Sequence, residues 1–271
     1  MKFGGRVKSL IDERFSAAQD SLDWAVEAIT EFAQECDAFF TRDGVAELTA
    51  VPEADPEWTS LKIRLLAKIP SKLNRRASEA LVNAKASLDQ ATRAARDLTT
   101  GVHKSMAYFP WSMTPIDLKR LLENRKIHPE LWDVFAKHEP YPTSALHSGG
   151  NDVRRAIAQM INDRHTVGLG ANVAVDRAVY KRLINVSGQT EIPALNWDRV
   201  ANEATLLRYT GETTIGGNFM VYWSMVFCDD RFPLPVKAVE AMSDFAGMAQ
   251  SVIYDLKAKC EEFVRENPTA E

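Results

Sequence analysis

The chain has 271 residues, of which 45% are hydrophobic and 26% charged, with a formal net charge of -4. That balance is ordinary for a soluble globular protein and supplies no global electrostatic argument for nucleic acid or membrane. No apolar run approaches the roughly 20 residues that span a bilayer, and the opening MKFGGRVKSLIDERF has no continuous apolar core of a signal peptide.

The length allows one large domain or two small ones, and a single domain over 1–271 is expected. The cysteines, Cys36, Cys228 and Cys260, are far apart and include no CxxC pair. They argue against a disulfide framework or zinc finger and suit a reducing cytoplasm.

The first element is read from its spacing. Ile11, Phe15, Ala18, Leu22, Ala25, Ile29, Phe32, Cys36 and Phe39 alternate four and three apart, which is the seam of a helix that packs on another helix. A helix is predicted over 6–42, with Gly44 available to end it. Residues 45–68 follow as a β-hairpin: Leu61, Ile63 and Leu65 alternate with Lys62 and Arg64, and Pro52, Asp55 and Pro56 supply the turn.

The same seam returns over 70–102, through Ala77, Leu81, Ala84, Leu88, Ala91, Ala95, Leu98 and Val102. Its many alanines imply a close approach to the partner. Residues 5–60 hold four Lys/Arg and thirteen Asp/Glu, a balance of -9, whereas 61–104 hold ten Lys/Arg and three Asp/Glu, a balance of +7. The two helices therefore complement each other as an antiparallel pair. The basic helix reads either as internally paired or as a phosphate-binding face, with Arg75 and Arg76 the cations concerned.

Residues 103–165 are irregular, helical and aromatic. Thr114-Pro115 with Asp117 marks a helix start, Pro129 a second, and Asn151 the cap of a helix with an apolar face at Val153, Ile157, Met160 and Ile161. Arg154 and Arg155 on that helix are further candidates for phosphate. Residues 166–230 form a mixed β region, with strands expected near 204–211 and 218–228 turning at Gly216-Gly217-Asn218. A third long seam, Val239, Met242, Ala246, Ala249, Ile253, Leu256, Cys260 and Phe263, predicts a helix over 236–265.

The fold class expected is α+β, mainly α: an antiparallel bundle of three long helices, with a small antiparallel sheet formed by the connections. Helices of about thirty residues would each run roughly 45 Å, and their seams make a homodimer plausible.

GLGANV at 168–173 is not a dinucleotide fingerprint, and GxxxxGK[ST], GxSxG, HExxH and EF-hand patterns are absent from the sequence. The five histidines show no metal-ligand spacing on a helix, so neither a metal nor a cofactor is expected.

The segment KIPSKLNRRASEALVNAKASLDQAT resembles the second helix of a bacterial helical protein family. There a Pro-ended strand leads into a helix of the form A-L-H-N-L-R-S-A-L-D. Glu79, Ala80, Leu81, Asn83, Leu88 and Asp89 match it. Tyr108-Phe109-Pro110 and HEPYP fall in the family's order, and Asn162, Asp163, Arg164 and His165 stand for its closing N-x-D-K-H. Val82 replaces the helix histidine and Lys85 the arginine, which removes bidentate donation.

The family is similar to HEPN-type helical domains, some of which are RNases using Arg and His on one helix. The resemblance implies a polar cluster of Asn83, Lys85, Asp89, Asn162 and Asp163, with Arg164 and His165 as the pair that could stabilise charge and act as acid or base. Arg155 stands too far from His165, with nine residues between them.

Three functions stay open: a non-catalytic cytoplasmic interaction or scaffold protein with a protein partner; an RNA-binding or metal-independent RNA-cleaving effector; and a small-molecule binder with Trp111, Trp132, Tyr222 and Trp223 lining its cleft.

Overall fold

The computed structural model describes residues 3–103, 107–167, 171–186, 188–211, 213–228, 231–232 and 235–267; side chains at 3–6, 164–167, 180–186 and 213–219 are outside that description. The protein is α+β. Among the described residues it has six α-helices and antiparallel sheets.

The first long helix, α1 (Phe3–Phe40), buries its seam, with Ile11, Phe15, Ala25 and Phe32 at zero exposure. A hairpin follows, β1 (Ala46–Pro52) and β2 (Trp58–Leu65), paired from Ala46↔Leu65 to Pro52↔Thr59. Helix α2 (Ser71–Thr100) buries Ala77, Leu81, Ala84, Leu88, Ala91 and Ala95, and Gly101 closes it in the left-handed region at φ 66°.

Short helices come next. α3 (Pro115–Asn124) is capped by Thr114, whose side chain accepts from the Asp117 amide at 3.0 Å. A 3-10 turn (Pro129–Leu131) leads into α4 (Trp132–Lys137), and α5 (Asp152–Val167) has Asn151 Oδ1 accepting from the Arg154 amide at 2.9 Å. The last long helix is α6 (Ala238–Glu266).

The three long helices pack on one another in a shared apolar core. Their directions follow from side-chain contacts. Arg76 meets Glu31 at 2.8 Å and Ser21 donates to Gln90 at 2.9 Å, so α1 and α2 run antiparallel. Lys257 meets Asp12 at 2.9 Å, while the C-terminal part of α1 shares a cavity with the start of α6. Helix α6 is thus antiparallel to α1 and parallel to α2, since three mutually packed helices cannot all oppose one another.

The β region differs from its expected pairing. β3 (Ala171–Val186) and β7 (Thr213–Phe227) form a long antiparallel ribbon, from Ala171↔Phe227 to Val186↔Thr213, with β8 (Val236–Lys237) added on β7. β6 (Glu203–Thr210) instead pairs β2, and its other edge takes β4 (Thr190–Glu191) and β5 (Trp197–Asp198). The strands near 204–211 and 218–228 are therefore not a hairpin. Gly216 lies within the ribbon opposite Arg182, and the chain changes sheet at Gly211, where φ is 68°. A second small core of Ile63, Val175, Ala204 and Leu206 joins the two sheets.

Candidate functional site

The polar residues of α2 lie on the flank that meets the segment after the helix. Lys85 and Asp89 are four apart, one turn on the same face. Lys85 Nζ donates to Asp89 Oδ2 at 2.9 Å, and both side chains are only 17% exposed. The other carboxylate oxygen, Oδ1, accepts from the Phe109 amide at 2.8 Å. Lys85 also stands 5.9 Å above the Tyr108 ring, and Arg125 Nη1 donates to the Tyr108 carbonyl at 2.5 Å. Burial pushes the Arg125 guanidinium down, and the Asp89 charge works against that. Asp89 thus pins the Tyr108-Phe109-Pro110 segment to α2, with Lys85 and Arg125 on either side.

The other members of the expected cluster are elsewhere. Asn83 is half-buried on α2. Asn162 and Asp163 are exposed on α5, where Asp163 pairs with Arg231 at 2.7 Å. α5 ends beside the first turns of α2, as the Ala171 amide donating to Asn74 Oδ1 at 3.0 Å places it. Asp89 lies fifteen residues further along α2 than Asn74, about 22 Å at the helical rise. The five residues therefore form no single cluster. Arg164 and His165 fall in the last turns of α5, and their side chains lie outside the described residues.

The Arg and His that share a carboxylate are instead Arg96 and His103. Their spacing, six residues between them, is the signal in the sequence that finds them. Arg96 Nη2 donates to Asp97 Oδ1 at 2.7 Å, and His103 Nδ1 lies 3.5 Å from Asp97 Oδ2. Arg96 is fully buried whereas His103 is 57% exposed. A phosphodiester at His103 cannot touch the Arg96 guanidinium, so the pair cannot act together on one phosphate.

The cations proposed for phosphate are mostly engaged. Arg75 reaches Glu79 at 3.6 Å, Arg76 bridges Glu31 and Glu79 at 2.8 Å each, and Arg154 makes a forked contact to Asp244 at 2.7 and 2.8 Å. Arg155 is the exception. Its Nη2 points at the Met113 sulfur at 3.8 Å, and its Nε is buried without a hydrogen-bond partner.

The aromatic residues separate into groups rather than one cleft. Trp223 stacks on Phe40 at 5.5 Å and meets Trp197 edge-on, whereas Trp111 stacks on Phe245 at 5.9 Å. Tyr222 lies under Arg177, and Trp132 donates to the Ile127 carbonyl at 3.0 Å.

Compared with family models, with curated proteins and with solved structures, the chain matches none. What the site can do rests on its own chemistry. Burial holds the thiols of Cys36 and Cys260 up at about 12, so neither is a thiolate nucleophile at neutral pH. Among the described residues, no three His, Cys, Asp or Glu side chains are grouped to hold a metal ion, and no helix is long and apolar enough to cross a membrane. His138, buried beside Asp255 at 3.2 Å with Lys137 on the same carboxylate, completes the polar groups packed between helices.

Proposed function

We propose that this chain is a non-catalytic cytoplasmic interaction or scaffold protein, homodimeric, on a HEPN-like core in which the three long helices act as one bundle. One observation carries the reading. All six cations of α2, Lys72, Arg75, Arg76, Lys85, Arg93 and Arg96, face a carboxylate of the same chain. The basic charge that would have to hold RNA phosphates is largely paired within the protein, the six cations sharing five carboxylates. Apolar side chains remain outside instead: Trp24 and Val26 on α1 and Tyr254 on α6 are more than half exposed, which suits a partner surface.

The test is incubation of the purified protein with end-labelled mixed RNA at low salt without metal, together with its mass in solution. The expected outcome is a dimer that neither cuts nor shifts RNA. Cleavage by the wild type that is lost in His165→Ala would replace this reading with an RNA-cleaving effector acting through Arg164 and His165.

A further inference from the structure

The cleft beside α5 is lined by Met113, Pro142, Asp152, Arg155, Ala156, Gln159 and Arg231 and has a volume of about 440 Å³. Its walls are held from several directions. The Ser112 amide donates to the Pro140 carbonyl at 2.9 Å, tying the Met113 segment to the loop that carries Pro142. Gly150, at φ 109°, packs so closely on Pro142 that an added Cβ would lie 2.6 Å from its backbone. Asp152 is turned toward Thr143, with Oδ1 accepting from the Thr143 amide at 2.9 Å and Oδ2 from its hydroxyl.

Arg155 enters this cleft without an ion-pair partner, since the carboxylate in the lining, Asp152, is held by Thr143. Among the described residues it meets no carboxylate, its Nε is buried with no acceptor, and burial alone pushes its guanidinium down. Arg154, one residue earlier, shows what such a side chain does when a carboxylate is in reach: it forks onto Asp244. Desolvating a guanidinium nitrogen without an acceptor is costly, and that cost is removed when an anion supplies the missing oxygen.

We propose that this cleft binds a small molecule through its carboxylate or phosphate, with Arg155 as the principal donor. Binding turns the Arg155 guanidinium away from the Met113 sulfur, so that two of its coplanar N–H groups match two oxygens of such a group. Gln159 follows Arg155 by four residues and so stands on the same face of α5, where its amide donates to a third oxygen. Arg231 is also in the lining and is itself anchored on Asp163 at 2.7 Å. Met113, Pro142 and Ala156 leave an apolar wall for a short carbon skeleton. The proposal is independent of whether the long helices serve as a scaffold.

The experiment titrates the full chain with inorganic phosphate and, separately, with succinate at constant ionic strength, read by calorimetry and by thermal shift. At least one probe should saturate with a Kd on the order of 1 mM or tighter, and which one does identifies the head group. Arg155→Met should weaken that binding about tenfold or more while its melting temperature without ligand is not lowered, which separates lost binding from lost folding. Gln159→Leu should weaken it by a smaller factor. Failure of both probes to saturate in the wild type overturns the proposal, and so does saturation that is unchanged in Arg155→Met.

Discussion

Along α2, each lysine and arginine meets a carboxylate; Arg76 lies between Glu31 and Glu79, Lys85 against Asp89, and Arg96 against Asp97. Along α5 two adjacent arginines divide, Arg154 onto Asp244 and Arg155 into an open cleft. The difference is one of neighbours. On α2 most partners come from the helix itself, through Glu79, Asp89 and Asp97, and α1 adds Glu31 and Glu35. α5 meets α6 over a shorter length, and Asp244 reaches only one of two side chains that point about 100° apart around the helix.

The sharpest way to break that contrast is to loosen the long-helix core. Leu88 is fully buried on α2, and Leu88→Ala should cost about 3 kcal/mol in urea unfolding, with an unchanged m-value. A loss under about 1 kcal/mol would mean the seam is slack and that its ion pairs carry the packing. A smaller effect is expected at Asp89→Ala, which leaves the Phe109 amide and Lys85 without their acceptor. The expected loss is about 2 kcal/mol, with faster hydrogen exchange at Phe109; if the exchange is unchanged, Asp89 does not hold the segment.

The mildest effect is a pH slope. Burial lowers the pKa of His138 below its ordinary value, against the opposing pull of Asp255. A lowered value means the folded state resists protonation. The stability is therefore complete above the unfolded value, about 6.5, and declines as pH falls through it. His138→Gln should flatten that slope between neutral and mildly acidic pH in unfolding measurements, and a slope retained in the variant would assign it to other groups.

The helices were legible because a seam repeats locally: Ile11 to Phe39 and Ala77 to Ala95 announce their buried face without reference to anything distant. The caps at Thr114 and Asn151 were legible for the same reason. Strand partners were not. β6 and β7 both carry strand-forming residues, and Gly216-Gly217-Asn218 is good turn chemistry, but β2 and β3 compete for the two strands from far along the chain. A local turn signal cannot weigh those distant edges.

The site divides in the same way. The Lys85–Asp89 pair follows from spacing, and Arg154 and Arg155 are visible as cations. Asp89 accepting from Phe109, and Arg155 lacking any acid, depend on which loop lies above each helix. The Arg96–His103 spacing was present in the sequence, but only burial separates the two side chains into an interior and an exterior group.

The parallel arrangement of α2 and α6 fixes an order of events as the chain is made. α1 and α2 can close as a hairpin once the residues up to Thr100 have emerged. The helix that covers their remaining apolar side begins only at Ala238. For the whole interval of synthesis between them, the side of α2 that meets α6 at Ala95 lies open to any passing apolar surface. Closing so long a loop costs little more entropy than closing one half its length, so the delay is set by translation rather than by chain search. A nascent chain of this protein should therefore depend on chaperones most strongly late, in the interval before α6 appears, and far less during the first hundred residues.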